Sequence, residues 1–359
     1  MSRLPQELAP WDSALPTELA RTPPAHWYVS DERDRVERRS VLSTGWQVVA
    51  HRDEVDRPGS YVAGCDSGEP WVLVRDLAGE LRAFSNVCRH NGTQVAQGQG
   101  QTETLVCPYH GWAYRLDGRL AKAPRIGGIK QFDRSEFSLP PLGLYEWGPL
   151  IFLNLSGDAS PPELSELTRR LDATHWEKLV RVERRSYEIA CNWKVFIDNY
   201  LDGGYHVPFL HPDLSSELDL KGYKTELFER YSIQSVSPAE DASHRLSADA
   251  LYAWVHPTLM LNRYGPMMDI NVVSPLGPQR CRVQFDWYFE PECSPEFIAE
   301  SIASSEQVQV EDIAISESLQ VGMGSMHFRP GIYAPGVEMG KHHFHRLVSS
   351  DIENENEND

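Results

Sequence analysis

The chain has 359 residues, with 34 Lys and Arg against 52 Asp and Glu, and its formal net charge of −18 would repel a nucleic-acid partner. Hydrophobic residues make up 41%, and no run approaches the roughly 18 apolar residues that a membrane span requires. The length is enough for two substantial cores.

Residues 1–40 mix proline and charge with little periodicity and read as an N-terminal arm. They lack a basic-then-apolar leader, so the expected compartment is the cytoplasm. Cys65, Cys191, Cys281 and Cys293 show no staple-like spacing, which fits a reducing environment. Residues 41–157 read as a small antiparallel β domain, with strands at 46–51, 70–75 and 81–84, an Asp117-Gly118 hairpin signal, and a closing strand at 150–155.

Within that domain stand Cys88-Arg-His90 and Cys107-Pro-Tyr-His110, two Cys-His pairs with sixteen residues between them. Two thiolates can hold one iron of a [2Fe–2S] cluster while two imidazoles hold the other, and that mixed ligation raises the reduction potential. A zinc finger has the same stoichiometry but places both cysteines before both histidines. Here each loop carries one of each, at the tips of expected hairpins. Gly92, Pro108 and Gly111 permit tight turns whose amides can approach the sulfurs.

Residues 158–348 form the expected second domain. Ser160-Pro-Pro opens a helix, 181–190 reads as a strand, and a long helix begins at Asn192. Strands follow at 251–255, 267–273 and 281–290, then a helix over about 294–321; the polar stretch 349–359 reads as a disordered acidic tail. The second constellation is Asp198-Asn-Tyr-Leu-Asp202-Gly-Gly-Tyr-His206-Val-Pro-Phe-Leu-His211. A helix through Asp202 would put it on one face with His206, and Pro208 would let His211 swing to the same point. Two imidazoles and one later carboxylate make the facial triad that leaves positions on Fe(II) open.

Cys88-Arg-His90…Cys107-Pro-Tyr-His110-Gly-Trp resembles the Rieske domain of Rieske-type non-haem iron oxygenases, with Asn91 where the usual first box has arginine. The stretch 198–211 resembles the mononuclear-iron motif of the same family, most closely its choline monooxygenase-like branch. The resemblance implies an α+β chain, an N-terminal antiparallel β Rieske [2Fe–2S] domain followed by a larger helix-grip-like antiparallel sheet domain holding Fe(II). By position it makes Cys88, His90, Cys107 and His110 the cluster ligands and His206 and His211 iron ligands. Asp312 is the best third ligand, with Glu311 beside it and Glu317 as fallback. Dioxygenases of the family carry a bridging acid three residues before the first histidine, where this chain has Gly203, as the choline branch does. Asp202 is then the expected bridge, with Asn199 and Asp198 as rivals.

The chain has no G-x-G-x-x-G after a strand, so its electrons must come from a separate ferredoxin or flavin/Fe–S reductase. The resemblance further implies a homotrimer, in which a neighbour's cluster serves each iron, and insertion of one atom of O2 into a small substrate. A quaternary ammonium is the leading substrate class, to be held over aromatic faces drawn from Tyr205, Phe209, Trp254, Tyr264, Trp287, Tyr288 and Phe289. The competing readings are an oxygenase hydroxylating or demethylating aromatic compounds, and a Rieske electron carrier with an idle second domain.

Overall fold

Short apolar runs separated by turn residues become strands throughout the segment Leu42–Pro161, one of two units into which the computed structural model divides. The structure describes residues 11–157, 160–240, 242, 246 and 248–356. In this first unit the strands are β1 (Trp46–His51), β2 (Ser60–Asp66), β3 (Glu69–Arg75), β4 (Leu81–Ser85), β5 (Gln99–Gln101), β6 (Thr104–Val106), β7 (Ala113–Arg115), β8 (Leu120–Lys122), β9 (Gly143–Trp147) and β10 (Leu150–Asn154). They pair antiparallel as β1-β10-β9, β4-β3-β2-β5 and β6-β7-β8. Asp117-Gly118 turns the chain between β7 and β8, with Gly118 at φ +82°. Val72, Val74, Phe84, Leu105, Trp112 and Tyr114 form a core beneath the loops that carry Cys88 and Cys107.

The second unit comprises Met1–Val41 and Pro162–Asp359. Its helices are α1 (His26–Val29), α2 (Asp31–Glu37), α3 (Ser165–Asp172), α4 (Trp193–Tyr200), α5 (Val207–Leu210), α6 (Pro212–Glu217), α7 (Pro295–Met323) and α8 (Met339–Asn356). Its strands are β11 (Val180–Ile189), β12 (Lys224–Leu227), β13 (Tyr231–Val236), β14 (Ala250–Val255), β15 (Leu259–Tyr264), β16 (Met267–Gly277) and β17 (Arg280–Phe289), in one antiparallel sheet ordered β11-β17-β16-β15-β14-β13-β12. Ser294 caps α7, its hydroxyl accepting from the Phe297 amide at 3.2 Å, at the start expected for this helix. The buried positions of α7 are mostly polar, Ser301, Ser305, Gln309, Ser316 and Gln320, and some of them tie it to neighbouring elements. Gln320, for example, accepts from the Asn192 amide at 2.8 Å. Among the described residues no helix is long and apolar enough to cross a membrane.

Four expectations are corrected here. The arm does not stand apart: Glu37 of α2 is fully buried, accepting from Lys194 Nζ at 2.6 Å and Trp193 Nε1 at 3.0 Å. The helix expected from Ser160 starts only at Ser165. The tail is helical to Asn356, with 357–359 outside the described residues, because Asp351 is held by Arg230 at 2.8 Å and His256 at 2.7 Å. Tertiary partners order a segment whose composition alone would not. Finally, the helix from Asn192 is short and does not reach Asp202. Gly203 and Gly204 follow at φ +71° and +75°, a left-handed turn that ends it.

Candidate functional site

In the first unit two loops repeat one backbone frame. The Cys88 amide donates to the Thr93 carbonyl at 2.9 Å and Gly92 returns a bond to the Cys88 carbonyl at 2.9 Å. The Cys107 amide donates to Trp112 at 2.8 Å, and Gly111 donates back to Cys107 at 3.1 Å. Gly92 at φ +79° and Gly111 at φ +70° close these turns. Both cysteines are buried and both histidines exposed, with the two histidine Nδ1 atoms 3.1 Å apart. Such a separation suits two donors on one iron. Among the described residues these four side chains do not close on a single ion, as a zinc site would require. Trp112 stacks on His90 with ring centroids 4.9 Å apart. Sequence reading missed Tyr114, whose hydroxyl lies 3.4 Å from Cys88 Sγ and accepts from the Arg89 amide at 3.0 Å. Burial, and then the Cys88 sulfur, push its phenol up, so it stays a neutral donor.

In the second unit His206, His211 and Asp312 each offer one atom, all within 4.8 Å of one another. Asp312 Oδ1 lies 3.0 Å from His211 Nε2 and 3.8 Å from His206 Nε2. Each histidine turns its other nitrogen to a carboxylate: His206 Nδ1 to Asp202 at 2.6 Å, His211 Nδ1 to Glu311 at 2.6 Å. A proton on Nδ1 leaves the Nε2 lone pair free for a metal, and this carboxylate–histidine pattern is characteristic of such sites. The donor set fits Fe(II). Burial lowers the His211 pKa, but Asp312 and Glu311 outweigh it and hold the pKa above its ordinary value. The carboxyl of Glu311 is raised by burial, yet Gln307 and His211 bring it below the usual range.

Asp202 reaches His206 through a turn, not along a helix face. Its Oδ1 accepts from the Tyr205 amide at 3.1 Å and its Oδ2 from the His206 amide at 3.0 Å. Pro208 sits in the first turn of α5 and kinks nothing; His211 caps the end of that helix and the start of α6. Asn199 donates to Asp312 Oδ1 at 2.7 Å, fixing the carboxylate. Asp198 faces a different network, bound to Tyr28 at 2.8 Å and His345 at 2.7 Å. Glu317, the fallback ligand, accepts from the Ala190 amide at 3.0 Å instead. A side chain at Gly203 would place its Cβ 2.2 Å from the Val337 carbonyl oxygen, so the position is closed to the dioxygenase acid.

The three donors border a cavity of about 130 Å³, small against the roughly 300–1,000 Å³ of sites for drug-sized ligands. Of the seven aromatic walls expected, only Tyr264 lines it. Trp254, Trp287, Tyr288 and Phe289 are core, and Tyr205 and Phe209 are 56% and 85% exposed. The observed walls are Phe196 and Tyr200 from α4, Tyr223 from the turn before β12, and Tyr252 and Phe285 from strands whose alternation gave no sign of which face met the site. Burial pushes the phenols of Tyr200 and Tyr223 well up, so both remain neutral.

Residues 45–133 match the Rieske [2Fe-2S] domain and residues 176–353 the ring hydroxylating alpha subunit (catalytic domain). A chloroplastic choline monooxygenase of Arabidopsis thaliana is 41% identical over 362 residues, 95% of this chain and 85% of the relative. The carnitine monooxygenase oxygenase subunit of Escherichia coli K12 is 30% identical, over 97% of this chain and 99% of the relative. A quaternary ammonium Rieske monooxygenase solved with L-carnitine superposes at TM-score 0.82 with 26% identity, covering 98% of this chain and 99% of that one. Naphthalene 1,2-dioxygenase from Rhodococcus sp. shares the fold at TM-score 0.77 and 21% identity, over 92% and 94% of the two chains.

Proposed function

The chain belongs to the Rieske-type non-haem iron oxygenases, and within that family we propose that it hydroxylates a small quaternary ammonium compound of the choline class. A Rieske [2Fe–2S] cluster and a mononuclear iron are its cofactors, and the enzyme requires O2, a small substrate and an electron donor. When bound, the cluster supplies electrons singly and the ferrous centre an open position at which O2 is reduced. Cys88 and Cys107 hold one cluster iron, His90 and His110 the other, and His206, His211 and Asp312 the mononuclear iron. Asp202 and Glu311 orient the two imidazoles, and Asn199 holds Asp312, through the contacts described above.

The observation that carries the reading is the meeting of His206, His211 and Asp312 at the edge of a small cavity walled by tyrosines. Tyrosine faces attract a fixed cation, on the order of 0.5–2 kcal/mol each. Among the described residues, the lining has two carboxylates, two imidazoles and neither Lys nor Arg. The electron donor is a separate ferredoxin or flavin/Fe–S reductase, and the assembly a cytoplasmic homotrimer. In support of a neighbouring chain, Tyr205 and Phe209 expose large apolar surface beside His206. Within such a trimer Asp202 is the bridge toward the neighbour's cluster.

Reduced enzyme given ¹⁸O2 with choline, carnitine, glycine betaine or simple aromatics tests the proposal. The expected outcome is oxidation of choline at its carbinol carbon, with one labelled atom entering the aldehyde hydrate and the other leaving as water. Hydroxylation of an aromatic while every ammonium compound is left untouched would overturn it.

A further inference from the structure

The cavity holds a carboxylate that neither ligates nor orients the histidines. Asp269 of β16 lines it, is 2% exposed, and stands among Tyr200, Tyr223, Tyr252 and Tyr264. Its Oδ2 accepts from the Tyr264 hydroxyl at 2.9 Å; its Oδ1 accepts from Asn262 Nδ2 at 2.6 Å and Asn271 Nδ2 at 3.0 Å. These three donors are neutral. They fix the orientation of the carboxylate and, as hydrogen-bond donors, favour its charged form. Asn262 is also the register partner of Asp269 across β15 and β16, so the sheet itself holds the group in position.

We infer that Asp269 is the specificity-determining residue of this site, the fixed negative charge that makes the cavity select a quaternary ammonium over a neutral molecule of the same shape. The inference deepens the function proposed above and rests on it. A buried carboxylate, screened less than one in water, acts on a cation more strongly. The tyrosine faces add attraction of the same sign. Both terms act on the fixed charge of the nitrogen, and neither acts on a carbon analogue. The same charge disfavours any substrate that would bring a carboxylate of its own next to Asp269, so a purely cationic alcohol suits the cavity better than a zwitterion.

The test uses holoenzyme and titration calorimetry with choline and its neutral isostere 3,3-dimethylbutan-1-ol. Wild type binds the cation at least about tenfold more tightly, and Asp269→Asn reduces that preference to about threefold or less while its affinity for the alcohol changes by less than about twofold. Tyr264→Phe, which removes one neutral donor and keeps the charge, retains the preference. If Asp269→Asn keeps the full preference, or if Tyr264→Phe loses as much, the inference is overturned, while choline oxidation by wild type leaves the proposed function standing. If wild type neither distinguishes the two ligands nor oxidises any ammonium compound, both fall. Should Asp269→Asn be recovered unfolded, the wild-type comparison decides: equal affinity for the two ligands overturns the inference.

Discussion

The cluster loops and the three-donor site solve opposite problems with similar side chains. In the loops the histidines are exposed and the cysteines buried, and all four side chains lie within 23 residues on two turns of matching backbone. A relay must pass electrons across a surface, and exposed imidazole edges provide that. In the larger unit His211 is 2% exposed, and its partners Glu311 and Asp312 come from a helix a hundred residues away. A centre that reduces O2 has to be enclosed, and here the ligands are brought together by packing between elements.

The strongest way to break this comparison is His206→Ala. Mononuclear iron and turnover should both be lost, with iron falling from about three to about two atoms per chain, while the cluster keeps its visible spectrum. A Rieske carrier with an idle second domain would show no loss of function. Metal analysis with electron paramagnetic resonance reads the outcome. Asp202→Asn comes next. Without its carboxylate the His206 ring is less firmly held, and turnover or iron affinity should drop by roughly 10- to 100-fold. The expected residual activity distinguishes an orienting group from a ligand.

Two glycines sharpen the comparison in stability. Gly203→Ala meets both a left-handed φ of +71° and the Val337 carbonyl at 2.2 Å, and should cost about 3 kcal/mol in denaturant unfolding. Gly92→Ala in the cluster loop has φ +79° but no atom within 4 Å of the added Cβ, so only about 1 kcal/mol is expected.

The smallest effect expected is pH-dependent. Burial raises the Asp76 carboxyl, but Arg82 at 2.7 Å and the Glu80 and Ala78 amides, both at 2.9 Å, outweigh it and hold it below its ordinary value. A depressed carboxyl stabilises the fold above its unfolded pKa and ceases to do so as pH falls through the folded one. Asp76→Asn should therefore cost about 1 kcal/mol at pH 7, with the difference in Tm from wild type shrinking below about pH 4.

The metal chemistry was legible because its donors are rare residue types at tight spacing, and thiolates beside imidazoles have few other uses. The pairing of Asp202 with His206 was anticipated for the wrong reason: a helix face was expected, and a glycine turn brings the two together. The aromatic walls were mostly misplaced, because Trp254 looks in sequence like Tyr252 on β14, and Trp287 like Phe285 on β17. Likewise the acidic terminus, by composition a solvated tail, became a helix once Arg230 and His256 were available to Asp351.

Local chemistry in the chain therefore pointed to the family, the class of reaction and the candidate metal-binding side chains, and to some of the strands of the cluster unit, since each depends on residue type and short spacing. Only the folded molecule decided which faces border the cavity, why Gly203 must lack a side chain, and where Asp269 stands. Those depend on distances between elements that lie far apart in the chain, and residue order carries no measure of such distances.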